Sequence, residues 1–175
     1  MSHSYWQRGA RIAVGASTVR GQGNRGVVAS ARTFLRTVDL RSFGTDRAPV
    51  FAAVLDRTTQ DLRDALPATA QHWGIARKVL NIFLRDCLYT SYLSERYGLK
   101  AAEFLFELPL DSITARELRK AAGRGRLPPW PGVKGVDSAC NRAYQAVALH
   151  VAGVRKMARV HLDALWWAVG RDDAV

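Results

Sequence analysis

The sequence predicts an all-α fold, and three observations carry that reading. Apolar residues recur at three- and four-residue spacing in one window after another along the 175 residues. Proline, glycine and short polar residues punctuate those windows where helices start and stop. No stretch alternates apolar and polar with period two, and no internal repeat is present. With 48% hydrophobic residues the chain can build a real core, so residues 1–175 are expected to form a single compact domain or two small lobes sharing one core.

Taken in order, residues 1–25 are rich in glycine and arginine and carry no clear period. Gly21, Gly23 and Gly26 alternate with Arg20, Gln22 and Asn24, which offer hydrogen bonds to a base or a phosphate. The run superficially resembles a nucleotide-binding glycine loop, but no strand precedes it and no Gly-Lys-Ser/Thr ending follows. It reads equally as a plain flexible loop or as one that lines a base pocket. Val27, Ala31, Phe34, Leu35 and Val38 then predict a helix, with a break at Ser42–Thr45. Pro49 suits the first turn of the next helix, which carries Phe51, Val54, Leu55 and Leu62 until Pro67 ends it.

A turn at His72–Ala76 leads into a central helix expected from about Ile75 to Tyr97. Most of its circumference is apolar, as in a helix buried on nearly all sides. Arg77, Asn81 and Arg85 recur at i, i+4 and i+8 with Lys78 beside them, which predicts one cationic ridge facing a cleft. Gly98 stops the helix, and Asp111 is placed to cap another through Ile113, Leu118 and Ala121. Gly123–Gly132 must be a loop, a long helix starts near Asp137, and a last element begins around His161.

Composition narrows the partners. The formal net charge is +11, mostly from arginine spread along the chain, and favours an anionic polymer or surface as partner. Cys87 and Cys140 lie within apolar helical patterns and read as buried hydrophobes in a reducing, cytoplasmic setting. Two cysteines cannot supply a four-cysteine iron–sulfur or zinc site. No run reaches membrane-span length, so no membrane partner is expected. Nothing suggests a coiled coil or large apolar interface, and a monomer is expected.

Lys78 and Asp111, 33 positions apart, are the residues with the most chemistry. Desolvation and the neighbouring Arg77 would both lower the lysine pKa and free its amine to attack carbon. A helix start keeps the Asp111 carboxylate ionised. An amine opposite a fixed carboxylate suits cleavage at an anomeric carbon, where positive charge develops. Taken singly, a phosphate contact for Lys78 and a simple cap for Asp111 are the better readings.

The wording around both residues changes that balance. Gly74-Ile75-Ala76-Arg77-Lys78-Val79-Leu80-Asn81 resembles the helix–hairpin–helix signature of the DNA glycosylase superfamily, in which a glycine hairpin runs into Arg-Lys-Thr-Ala-Asn. Pro109-Leu110-Asp111-Ser112-Ile113-Thr114-Ala115-Arg116 is similar to that family's Val-Asp-Thr-His-Val-x-Arg segment. The motifs stand in the family's order and cover about 40 residues within a hairpin and catalytic core at 61–122. The resemblance implies a helix–hairpin–helix glycosylase-like fold. It implies Lys78 as the lysine that attacks C1′ in bifunctional members and Asp111 as the aspartate that supports the sugar cation. Gly74 and Ala76 fall on the hairpin, whose backbone N–H groups grip a phosphate, often through a monovalent cation. No other cofactor and no metal are implied. The hairpin departs from the usual Leu-Pro-Gly-Val-Gly, and residues 90–108 lengthen the Lys–Asp separation. That length looks more like the archaeal-type 8-oxoguanine branch and, more faintly, small phage-defence glycosylases acting on glucosylated hydroxymethylcytosine.

The remaining expectations follow from holding a flipped nucleotide in double-stranded DNA. Trp73 and Trp130 are candidate wedges or pocket walls, while Trp166 and Trp167 are assigned to the core. Arg77, Asn81, Arg85, Arg124, Arg126 and Lys134 are candidate DNA ligands, each also readable as ordinary charge. Asp163 is a base-pocket candidate; with His161 it also invites a metal reading that lacks a third ligand. The expected activity is excision of a modified or damaged base, in repair or antiviral defence, with a lyase step where Lys78 is the nucleophile. The alternative is a non-catalytic DNA- or RNA-binding module using the hairpin and basic face. A toxin-type ribonuclease ranks lower for want of an Arg-x4–6-His motif.

Overall fold

The structure, a computed structural model, describes residues 26–166. Among the described residues it is all helical with no strand, as the periodicity predicts. Helix α1 spans Val27–Leu35, α2 Ala48–Ala65, α3 Trp73–Tyr89, α4 Ser91–Tyr97, α5 Ser112–Ala122 and α6 Ser138–Val154. Short 3₁₀ turns join them at Leu40–Phe43, Ala68–Ala70, Leu99–Leu105, Val133–Gly135 and Arg159–His161, and residues 162–166 are helical again.

Two apolar clusters divide the interior. The larger is built from α1 to α4 around Leu35, Phe43, Leu62, Leu80 and Phe83, all essentially inaccessible. The smaller joins Leu108 and Leu110 to Leu118 of α5, Tyr144 and Ala148 of α6, and Leu162. Trp130 packs against both. Each fully buried leucine or phenylalanine contributes about 1.5–3 kcal/mol relative to leaving it exposed. Cys87 is buried in the first cluster, where desolvation pushes its thiol well up, as suits an inert apolar side chain.

The boundaries follow local chemistry, with two corrections. The helix expected over 75–97 is broken at Thr90, whose backbone is extended (φ −86°, ψ 103°). Its Oγ1 donates to the Asp86 carbonyl at 2.8 Å, a side-chain bond that competes with helix continuation. The break leaves α4 free to run to Gly98, whose left-handed φ of 66° ends it. The expected turn at 72–76 is the second correction. Only His72 lies outside the helix, and the Ala76 N–H already donates to the His72 carbonyl at 3.2 Å. Lys78 therefore sits in the second turn of α3 rather than the first.

Candidate active site on the central helix

A helix advances about 100° per residue, and this divides the ridge expected on α3 into two faces. Lys78, Arg85 and Tyr89 share one line, while Arg77 and Asn81 turn to a neighbouring face. The second face is interior: Arg77 is 6% exposed and Asn81 3%. Arg77 donates to Glu107 through Nε (2.9 Å) and Nη2 (3.2 Å), to Thr59 Oγ1 (2.8 Å) and to Asp56 (2.8 Å). Asn81 Nδ2 donates to Glu107 at 3.1 Å, and Asn141 Nδ2 reaches the same carboxylate at 3.1 and 3.2 Å. Expected as DNA ligands, Arg77 and Asn81 instead spend their donors inside the protein, chiefly on the half-buried Glu107 carboxylate.

The hairpin glycine is placed differently as well. Gly74 and Ala76 are buried, and a Cβ added at Gly74 would lie 2.1 Å from the Val133 carbonyl oxygen. The 3₁₀ turn at 133–135 covers the start of α3, so Gly74 serves a close backbone approach rather than an exposed phosphate grip. In the preceding loop, the carbonyls of Leu66, Pro67, Ala68, Ala70 and His72 each accept an internal hydrogen bond. A monovalent cation there draws no support from that arrangement.

The first face of α3 meets carboxylates from two distant segments. Lys78 is half-buried, and burial lowers its pKa from the ordinary lysine value, while the charges of Asp111 and Asp163 act to raise it. Asp111, 33 positions away in the chain, is thus near enough for its charge to act on the Lys78 ammonium. Neither carboxylate closes an ion pair with the ammonium among the described residues, so the amine is not locked. Asp163, 4% exposed, pairs instead with Arg85, which also holds Asp86 at 2.9 Å. Burial raises the Asp163 pKa and Asp111 adds to the rise, against the pull of Arg85 and Lys78. Arg85, expected on DNA, is a counter-ion to this cluster.

Asp111 caps α5 as the sequence predicts. Its Oδ1 accepts from the backbone N–H of Ile113 (2.9 Å) and Thr114 (3.0 Å), and the Asp111 N–H in turn donates to the Thr114 hydroxyl oxygen (2.9 Å). This is a capping box, and it fixes the carboxylate through one oxygen. Among the described residues Oδ2 has no hydrogen-bond partner, so one carboxylate oxygen stays available in a half-buried setting. The approach to Asp111 is clamped by Gln145. Its Nε2 donates to the Leu108 carbonyl at 2.7 Å, and its Oε1 accepts from the Leu108 N–H at 3.1 Å.

Two cavities flank these groups without being lined by either Lys78 or Asp111. One, of about 430 Å³, lies between α2, α3 and α6 against Trp73, Arg77, Asp56 and Glu107. The other, of about 460 Å³, runs beside α5 from Ser112 to Trp130. Trp73 is half-buried under the Arg77 guanidinium, 4.9 Å from its ring centroid, so it is not a free wedge. Trp130 is half-buried with its ring edge-on to Tyr144 at 5.4 Å and forms one wall of the second cavity. Arg124, Arg126 and Lys134 are exposed, as phosphate ligands would need to be. Arg20, Gln22, Asn24 and Trp167 lie outside the described residues, while Trp166 packs against the second cluster. His161 and Asp163 do not form one ligand set: His161 contacts Glu103 at 2.7 Å and Tyr89 at 2.9 Å, whereas Asp163 turns to Arg85.

No family model, curated protein or solved structure matches this chain. The site rests on its own geometry. Glu107 and Gln145, absent from the sequence-based expectations, are the groups that tie the segment leading to Asp111 to α3 and α6. A carboxylate four residues before a cap and a glutamine inside an apolar helix face were the available signals.

Proposed function

We propose that the protein is a DNA glycosylase that excises a modified or damaged base, with Lys78 as nucleophile and Asp111 as supporting carboxylate. The observation that carries this is a half-buried amine, its pKa lowered by burial, beside a capped carboxylate with one unpartnered oxygen. That pairing suits a sugar on which positive charge develops as the base departs. In the proposed step the neutral Lys78 amine bonds to C1′ as the C1′–N bond breaks. The electron pair leaves on the base, which takes up a proton. Loss of the amine proton and opening of the sugar ring then give a Schiff base, from which strand cleavage can follow. Arg85 balances the Asp163 charge and keeps the cluster from closing on Lys78. The net charge of +11 supports DNA as the partner.

Borohydride reduction during incubation with modified duplexes tests the covalent step. A trapped protein–DNA adduct is expected, lost in Lys78→Ala; an adduct that persists in that variant assigns the nucleophile elsewhere.

A further inference from the structure

The cavity beside α5 has a chemistry that neither the fold nor the proposed reaction requires. Ser112, Arg116, Arg119 and Lys120 follow at i, i+4, i+7 and i+8 along one side of α5, and Arg124 and Trp130 close the opposite side. All four cationic side chains are exposed. Gly123 and Gly125, at φ 85° and 76°, let the loop turn back along the helix.

Basic residues in the last turn of a helix have an ordinary role, because they offset the partial negative charge of the helix end. That accounts for Arg119 and Lys120. It does not account for Arg116, in the second turn, or for Arg124 beyond the helix. Glu117 neutralises part of the group, holding Arg116 and Lys120 at 3.0 Å each. Arg119 and Arg124 have no carboxylate partner among the described residues. Two unneutralised guanidiniums beside an indole suit a phosphate and an aromatic ring. The volume of about 460 Å³ falls in the small-ligand range of roughly 300–1,000 Å³. It is large enough for one nucleotide. Its first wall residue, Ser112, directly follows Asp111.

We propose that this groove binds one unpaired nucleotide of the DNA strand adjoining the nucleotide held at Lys78 and Asp111. Arg119, Arg124 and Arg116 take its phosphates, and Trp130 faces its base. The inference rests on the proposed nucleic-acid site but not on base excision itself.

The test is fluorescence anisotropy over a potassium chloride series, using a fluorescein-labelled duplex with a two-nucleotide single-stranded gap and its fully paired counterpart. The wild-type protein should prefer the gapped duplex. Arg119→Ala/Arg124→Ala should lose that preference and lower the slope of log K against log salt by about 1 to 2. Arg57→Ala, an exposed arginine of α2 outside the groove, should keep the preference. A double variant with unchanged slope and preference overturns the proposal, as does a wild-type protein that binds neither duplex. If the double variant loses the preference while the wild-type protein releases no base from any substrate, the groove stands and the glycosylase reading falls.

Discussion

Arg77 and Glu107 join the two halves of the candidate site: two hydrogen bonds, of 2.9 and 3.2 Å, tie the residue before Lys78 to the segment four residues before Asp111. Glu107 also accepts from Asn81 and Asn141, so one carboxylate gathers α3, α6 and the approach to α5. Glu107→Ala would leave Arg77 with only the exposed Asp56 carboxylate and the Thr59 hydroxyl, beside two unpaired amide donors. The expected loss is about 3–5 kcal/mol of folding stability, read by urea denaturation. Asp56→Ala removes an exposed partner of the same arginine and should cost no more than about 1 kcal/mol. Equal losses for the two variants would contradict this assignment.

Gln145 acts on the backbone as a neighbouring strand would, satisfying both polar groups of buried Leu108. Gln145→Leu keeps the volume and removes both bonds. Each orphaned group costs about 1–3 kcal/mol, so stability should fall by about 2–6 kcal/mol in the same denaturation experiment. A loss under about 1 kcal/mol would show that water replaces the clamp.

The two perturbed groups Asp163 and Lys78 give pH dependences of opposite sign. Asp163 has a folded pKa above its unfolded value, so the fold binds the extra proton. Its contribution is complete below about pH 3.8 and is lost as pH rises through the folded value. The stability of the wild-type protein minus that of Asp163→Asn should therefore fall as pH rises across that window; a rising difference would refute the assignment. Lys78 has a folded pKa below the usual 10.5. The unfolded chain binds the proton more readily, and the penalty of burying Lys78 is relieved as pH rises through the folded value towards 10.5. The stability of the wild-type protein minus that of Lys78→Met should rise there.

The helices were legible because their signals are local: Pro49 at the start of α2, Gly98 at the end of α4 and Asp111 before α5 each act within one turn. The break at Thr90 was not, because the apolar spacing runs on from Leu88 to Leu93 past Thr90-Ser91, a pair that also serves as a helix start. At the site, the sequence pairs Lys78 with Asp111 through motif order, and in the structure the Asp111 charge acts on the Lys78 ammonium without an ion pair between them. It also misleads at Arg77 and Asn81, because a polar stripe on an apolar helix reads as an open cleft. Here a half-buried acid, Glu107, takes up Arg77 and Asn81, and only tertiary packing reveals a partner 30 residues away.

Asp111→Asn offers the most direct separation of chemistry from structure. Asparagine caps a helix about as well as aspartate, whereas alanine costs about 1 kcal/mol, so the amide variant should fold with the stability of the wild-type protein. It cannot supply the negative charge at the sugar. The measurement is mass spectrometry of bases released from a panel of modified duplexes. The wild-type protein should release a base, and Asp111→Asn should release it about 10²–10⁴-fold more slowly. Release at the wild-type rate by Asp111→Asn, or no release from any duplex by the wild-type protein, would contradict a glycosylase built on Lys78 and Asp111.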